Sequence, residues 1–162
     1  CLFIRSQVFH QLNGFDEDFF AHQEEIDLCW RAKNSGHTIK YVGASTVYHV
    51  GGATLDTLNP RKTFLNFRNS LLNLVKNLPS TKLFPIIFSR LVLDGLASLK
   101  FLLEGKPNHL FAILKAHFSF YAHLSRFVKK RKESPKKSNY YEHTSVVWQY
   151  YAKGRKKFTE LR

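Results

Sequence analysis

The sequence predicts an α/β unit over residues 1–80, followed by a helical, basic region. Three observations predict it. Short apolar segments flank a well-signalled helix in the first half. Two long apolar stretches at helical spacing fill the middle of the second half. Charge divides at the same place: residues 1–80 hold eight Lys/Arg and seven Asp/Glu, while residues 81–162 hold seventeen and five. Net charges of +1 and +12 point the two halves at different partners.

The elements follow in order. Cys1–Arg5 is short and apolar, as a buried strand is. Asn13-Gly14 signals a turn ahead of the aromatic and acidic run Phe15-Asp16-Glu17-Asp18-Phe19-Phe20. A helix is predicted from Glu24 to Asn34, with acids in its first turn, Arg31 and Lys33 in its last, and Gly36 beyond as the stop. Thr38–Val42 and Thr46–Val50 read as short strands, with Gly43 between them and Gly51-Gly52 after them. Asn59-Pro60 opens a further helix that runs to about Asn77 and ends at Pro79.

Beyond Lys82, Leu83–Leu103 and His109–Val128 are the two apolar helical stretches, separated by Gly105-Lys106-Pro107-Asn108. A basic linker, Lys129 to Lys137, leads to a tail from Tyr140 to Arg162 that carries Trp148, Tyr150, Tyr151 and more cations. The expected organisation is therefore residues 1–80 as one unit, 81–128 as an amphipathic helical hairpin, and 129–162 as linker and tail.

With 162 residues and 44% hydrophobic content the chain can bury a core, which excludes general disorder. It has no Met and starts within a strand-like segment, so it is expected to be part of a longer protein; an engineered or processed start is the alternative. Cys1 and Cys29 give neither a disulfide framework nor zinc spacing, which makes a reducing compartment the default.

The segment Glu24-Glu25-Ile26-Asp27-Leu28-Cys29-Trp30-Arg31 carries the most chemistry. At about 100° per residue Glu24, Asp27 and Arg31 share a helical face, which reads as a solvated ladder of charges. Glu25 falls on the side of Leu28, Cys29 and Ala32. A carboxylate there, kept ionised by free N–H groups and the helix dipole, can accept a proton from a substrate hydroxyl. The alternative is that both glutamates only satisfy the helix N-terminus. Asp16-Glu17-Asp18 reads as a polar turn, and Cys29 as a small core residue.

Gly14-Phe15-Asp16-Glu17, then Glu24-Glu25-Ile26-Asp27-Leu28, then Gly36 and Val47-Tyr48-His49 resemble family 2 glycosyltransferases of the GT-A fold. Asn59-Pro60-Arg61-Lys62 and Asn66-Phe67-Arg68-Asn69 resemble that family's Bacteroidetes branch. The resemblance covers residues 1–80 closely and the remainder loosely. It implies the C-terminal, acceptor-side portion of a GT-A domain, whose parent moves a sugar from a nucleotide-sugar donor to a glycan or lipid-linked acceptor with inversion. It makes Glu25 the general base and gives Asp16 and Glu24 roles in holding the acceptor. It places His49 at a metal or at the diphosphate. A divalent metal, Mn or Mg, is expected in the full-length parent, whose Asp-x-Asp donor half this chain lacks, so the chain alone is expected to be inactive. Two positions depart from the family: Glu25 stands where Asp is usual, and Asn13 where a glycine is usual.

The second half suits a bilayer surface. Arg90 and Asp94 interrupt Leu83–Leu103 centrally, against a spanning helix and for one that lies in the interface or packs on the catalytic unit. Lys115, His117, His123 and Arg126 alternate with aromatics in the next stretch. An anionic membrane surface is the expected partner, at the cytoplasmic face of the plasma membrane, with a solvated helical hairpin as the alternative. A pI near 9.9 also raises nucleic acid, but no zinc, helix-turn-helix or RNA-binding signature accompanies it, so none is expected. The competing function is a non-catalytic basic module binding membrane or nucleic acid, its acidic helix purely structural.

Overall fold

The computed structural model describes residues 1–48, 59–132 and 145–160. Its elements are α1 (Ser6–Gln11), a 3-10 turn (Glu17–Phe19), α2 (Glu24–Asn34), α3 (Pro60–Asn77), α4 (Ser80–Leu103), α5 (Pro107–Lys132), α6 (Val146–Tyr151) and a last 3-10 turn (Phe158–Glu160).

Among the described residues there is no strand, which overturns the α/β and GT-A expectation. Cys1–Arg5 and Thr38–Val42 are neither helical nor paired, and Phe3 and Tyr41 are 84% and 94% exposed. A β-rich composition fits a pleated, half-buried surface, but a strand exists only when a neighbour takes up its N–H and C=O groups. No such neighbour lies beside either segment among the described residues. Thr46–Val50 begins in the same unpaired way and runs outside them from residue 49.

The helices that form have local causes. Asn59 caps α3 by accepting from the Arg61 N–H at 2.9 Å, with Pro60 in the first helical position. Leu78-Pro79 then breaks the chain, and the extended Pro79 leads directly into α4. Gly105 takes φ +71 to turn the chain from α4 into α5. α5 continues through Lys132, so the first four residues of the expected linker are its last turn.

These three helices make an up-down-up bundle. Asp94 meets His117 and Phe101 meets His109, so α4 and α5 run antiparallel. Thr63 meets His109 and Val75 meets Arg131, so α3 and α5 run in the same direction. Both ends are fastened. At one, buried His109 bonds Thr63 Oγ at 2.7 Å and stacks on Phe101. At the other, the Arg131 guanidinium donates to the carbonyls of Val75 and Leu78 and to Ser80 Oγ.

The core joins the bundle to the N-terminal unit. Phe19, from the turn before α2, is fully buried with Leu71, Leu72, Val75, Phe120 and Phe127, its ring edge-on to Phe127 at 5.5 Å. Burying a Phe side chain contributes about 2–3 kcal/mol. Leu83, Ile87 and Leu91 of α4 close the same cluster.

Candidate functional site

The acidic helix divides into a buried half and an open half. Asp27 is fully buried and accepts from Arg31 Nε at 2.7 Å, Lys76 Nζ at 2.9 Å and Asn77 Nδ2 at 2.9 Å. The expected solvated ladder is thus a buried hub at Asp27 and Arg31, because α3 lays Lys76 and Asn77 against that face of α2. Arg31 also donates to the carbonyls of Leu12 at 2.5 Å and Gly14 at 2.8 Å, which ties the Asn13-Gly14 turn to α2. Asn13 and Gly14 take φ 58 and 62, a left-handed conformation that Asn tolerates better than most residues. The departure from glycine at Asn13 is therefore accommodated.

Asp16 belongs to the same network. It caps the following 3-10 turn by accepting from the Asp18 N–H, and it binds Lys76 at 2.7 Å and Lys130 at 2.5 Å. Burial raises its pKa, but the bonds from Lys130 and Lys76 outweigh burial and hold the carboxyl at about 2. Asp18 takes Lys130 at 2.6 Å and Arg126 at 2.8 Å, so α5 clamps this turn with two cations. Both Asp16 oxygens and Asp18 Oδ2 are thus paired with protein cations.

Between this turn and α2 runs a strained loop. Phe20, His22 and Gln23 all have positive φ (62, 67 and 75), a region that costs non-glycine residues about 1 kcal/mol or more each. The Asn69 amide holds it, donating to the carbonyls of Phe19 at 2.9 Å, Ala21 at 2.8 Å and His22 at 2.8 Å. Arg68 adds longer bonds to the carbonyls of Asp18 and Phe19. Nothing in the spacing of Arg68 or Asn69 identified them as the loop's clamp. The available signal was the helical spacing of Asn69, Asn73, Lys76 and Asn77, one polar stripe of α3 that the structure buries.

The loop delivers Glu24 and Glu25 at the start of α2, where no side chain caps the helix. Glu25 is exposed and Glu24 half-buried, with Glu24 Oε2 buried and unpartnered among the described residues. Glu25 lies on the side of Leu28, Cys29 and Ala32, as the spacing predicts. Burial, and after it the Glu25 charge, push the Cys29 thiol pKa up, so carboxylate and thiol are neighbours. Those three residues line a groove of about 880 Å³, whose far wall includes Phe3, Ile39 and Val42. Glu25 and the groove therefore share one side of α2.

The remaining expected site residue, His49, lies outside the described residues, as do Gly51 and Gly52. Among the described residues no three His, Cys, Asp or Glu side chains assemble into a metal-binding group.

A carboxylate presented on a clamped loop beside a groove is suited to taking a proton from a bound hydroxyl, the task of the acceptor side of a group-transfer enzyme. Comparison with known proteins finds a partial similarity to glycosyltransferases. Over 49 residues, 30% of this chain, it is 39% identical to the N-acetylglucosaminyl-diphospho-decaprenol L-rhamnosyltransferase of Mycobacterium tuberculosis strain CDC 1551 / Oshkosh. The protein of that name in strain ATCC 25618 / H37Rv matches to the same extent. The matched region spans 16% of each relative's length. Both relatives are glycosyltransferases, and the similarity supports glycosyl transfer at that level, without reaching the Bacteroidetes branch. No family model matches the chain, and no solved structure matches it.

Proposed function

We propose that this chain supplies the acceptor side of a nucleotide-sugar-dependent glycosyltransferase, with Glu25 as the general base and a lipid-linked sugar as acceptor. The observation that carries the reading is the division of the acidic helix. Asp27 and Asp16 are bound to buried cations, whereas Glu25 stands exposed on the groove side of α2 at the end of a strained, clamped loop. The acceptor class follows the lipid-linked sugar on which the relatives act.

In this reading the acceptor hydroxyl oxygen attacks the anomeric carbon of the donor sugar in line. Glu25 takes the hydroxyl proton as the new C–O bond forms, and the nucleoside diphosphate leaves from the opposite face with inversion. Glu24 borders the same acceptor. Asp16 acts at one remove, by fixing the turn before the loop. His49, outside the described residues, is the candidate for contact with the diphosphate or a divalent metal.

The test is Glu25→Gln against Glu24→Gln in the complete gene product, with matched thermal melting. Gln keeps the shape but cannot take the proton, so Glu25→Gln should lose about 10²–10⁴-fold in turnover, the usual contribution of a positioned base. Equal and modest losses from the two substitutions would refute the assignment. The competing reading, a non-catalytic basic module, predicts no effect of either substitution on any transfer and finds no support in the relatives.

A further inference from the structure

The α4–α5 hairpin leaves a large apolar surface uncovered. On α4, Phe84, Phe88, Val92, Leu96, Leu99 and Leu103 are each 50–80% exposed. At about 100° per residue they fall within one arc of roughly 120° that contains no charged residue. On α5, Phe111, Leu114, Phe118 and Tyr121 are 45–75% exposed and recur at intervals of three, four and three along a second arc. Exposed apolar surface on this scale is not ordinary surface composition.

The two arcs face the same way. α3 packs against the other side of both helices, through Phe67 to Arg90, through Thr63 to His109, and through the core cluster. The arcs therefore lie together on the outer side of the hairpin, with Phe111 at the edge nearest α3. The charges that interrupt the hydropathy of α4 do not reach that side. Asp94 is 2% exposed and is enclosed by Arg90 Nε at 2.7 Å from its own helix and His117 Nε2 at 3.1 Å from α5.

We propose that this face docks flat on an anionic lipid bilayer, with α4 and α5 lying in the plane of the interface. Charge decides between bilayer and protein partners. Residues 80–132 hold ten Lys/Arg and two Asp/Glu, a net of +8. Lys82 and Lys100 border the α4 arc and Lys129 and Lys132 close the C-terminal end of the α5 arc, while Lys115 and Arg126 at its border also engage Phe64 and Asp18. Apolar side chains rimmed by cations match acyl chains beneath anionic headgroups. A second copy of a chain of net charge +13 would set like charges against each other across the same surface. No helix among the described residues is long and apolar enough to cross a membrane, so these lie on it.

Phe111 belongs both to the α5 arc and to a groove of about 530 Å³ that Arg61, Phe64 and Lys115 also line. Arg61 stands over the ring of Phe20, in the loop that carries Glu24 and Glu25. A lipid-linked acceptor leaving the bilayer at Phe111 thus meets two cations next to that loop. The docking face agrees with the proposed acceptor but is independent of the role of Glu25, and membrane binding can be measured without transfer.

The experiment is co-sedimentation of the 162-residue chain with vesicles of phosphatidylglycerol and phosphatidylcholine, or of phosphatidylcholine alone. The chain should bind the anionic vesicles at least tenfold more tightly, and less so as salt rises. Phe84→Ser, Phe88→Ser and Phe118→Ser together should weaken binding about a hundredfold or more at an unchanged thermal midpoint, since all three side chains are exposed. Lys129→Gln with Lys132→Gln should weaken it on anionic vesicles only, and Glu25→Gln should leave it unchanged. Binding that ignores the three Phe substitutions, or that is equal on neutral vesicles and insensitive to salt, overturns the proposal. So does a dimer in sedimentation velocity that the Phe substitutions dissolve, because the face then belongs to a second copy.

Discussion

Replacing Asp27 by Asn tests whether the acidic helix is split between structure and chemistry. Asn keeps the size and one acceptor but removes the charge that faces Arg31 and Lys76, which are 9% and 5% exposed. Breaking a buried pair by removing one partner costs about 3–5 kcal/mol, because the surviving charge stays buried. Here Lys76 retains Asp16 at 2.7 Å, and Arg31 retains the carbonyls of Leu12 and Gly14. The expected loss is therefore near the lower end, about 3 kcal/mol. Urea unfolding followed by far-UV circular dichroism measures it as a fall in midpoint at unchanged slope. Glu25→Gln, at an exposed position, should move stability by less than about 0.5 kcal/mol. A loss below about 1 kcal/mol from Asp27→Asn would refute the hub and return all the acids of α2 to one class.

Three further outcomes follow from the same contacts. The Asp16 carboxyl is held down from its ordinary 3.8 to about 2 in the folded chain, so its contribution is complete above pH 3.8 and is lost as pH falls from there toward 2; Asp16→Asn should flatten acid unfolding in that window, and an unchanged acid limb would count against the Lys76 and Lys130 bonds. Asn69→Ala removes the two amide N–H donors that three loop carbonyls share and should cost about 2–3 kcal/mol, with faster amide exchange at residues 20–24 than at α5. Phe19→Ala empties the centre of the core cluster and should cost about 3–5 kcal/mol by chemical denaturation, whereas exposed Phe20→Ala should cost far less.

The helices were legible because their signals are local. Asn59-Pro60, the acids and bases at opposite ends of Glu24–Asn34, and Gly105 each act on their own turn of backbone, and each reappears at the position its chemistry sets. The strands were not legible, because a run such as Thr38–Val42 states only a preference and its partner must come from elsewhere. Side-chain faces were half legible. Spacing put Glu24, Asp27 and Arg31 on one side of α2, but whether that side met water or protein depended on Lys76 and Asn77, some fifty residues on. The charges of α4 carried the same ambiguity. Arg90 and Asp94 lower the hydropathy of the segment, yet in the bundle they pair with each other and with His117 and leave the outer arc uncharged.

α3 is the element that makes the proposed chemistry physically reasonable. Its polar edge reaches the N-terminal unit three times: Asn69 at the strained loop, Asn73 at the carbonyl of Gln23, and Lys76 with Asn77 at Asp27. A loop with three positive-φ residues relaxes unless it is over-determined, and relaxation would carry Glu25 away from the groove side of α2. The bonds from α3 supply that constraint, and Phe19 anchors the same loop in the bundle core. α5 contributes Phe127 to that anchor and, on its outer side, part of the proposed membrane face. One bundle thus connects the proposed lipid-facing surface to the position of the proposed base. Loosening α3 at Asn69 should impair transfer while leaving vesicle binding intact, because the loop moves and the hairpin does not.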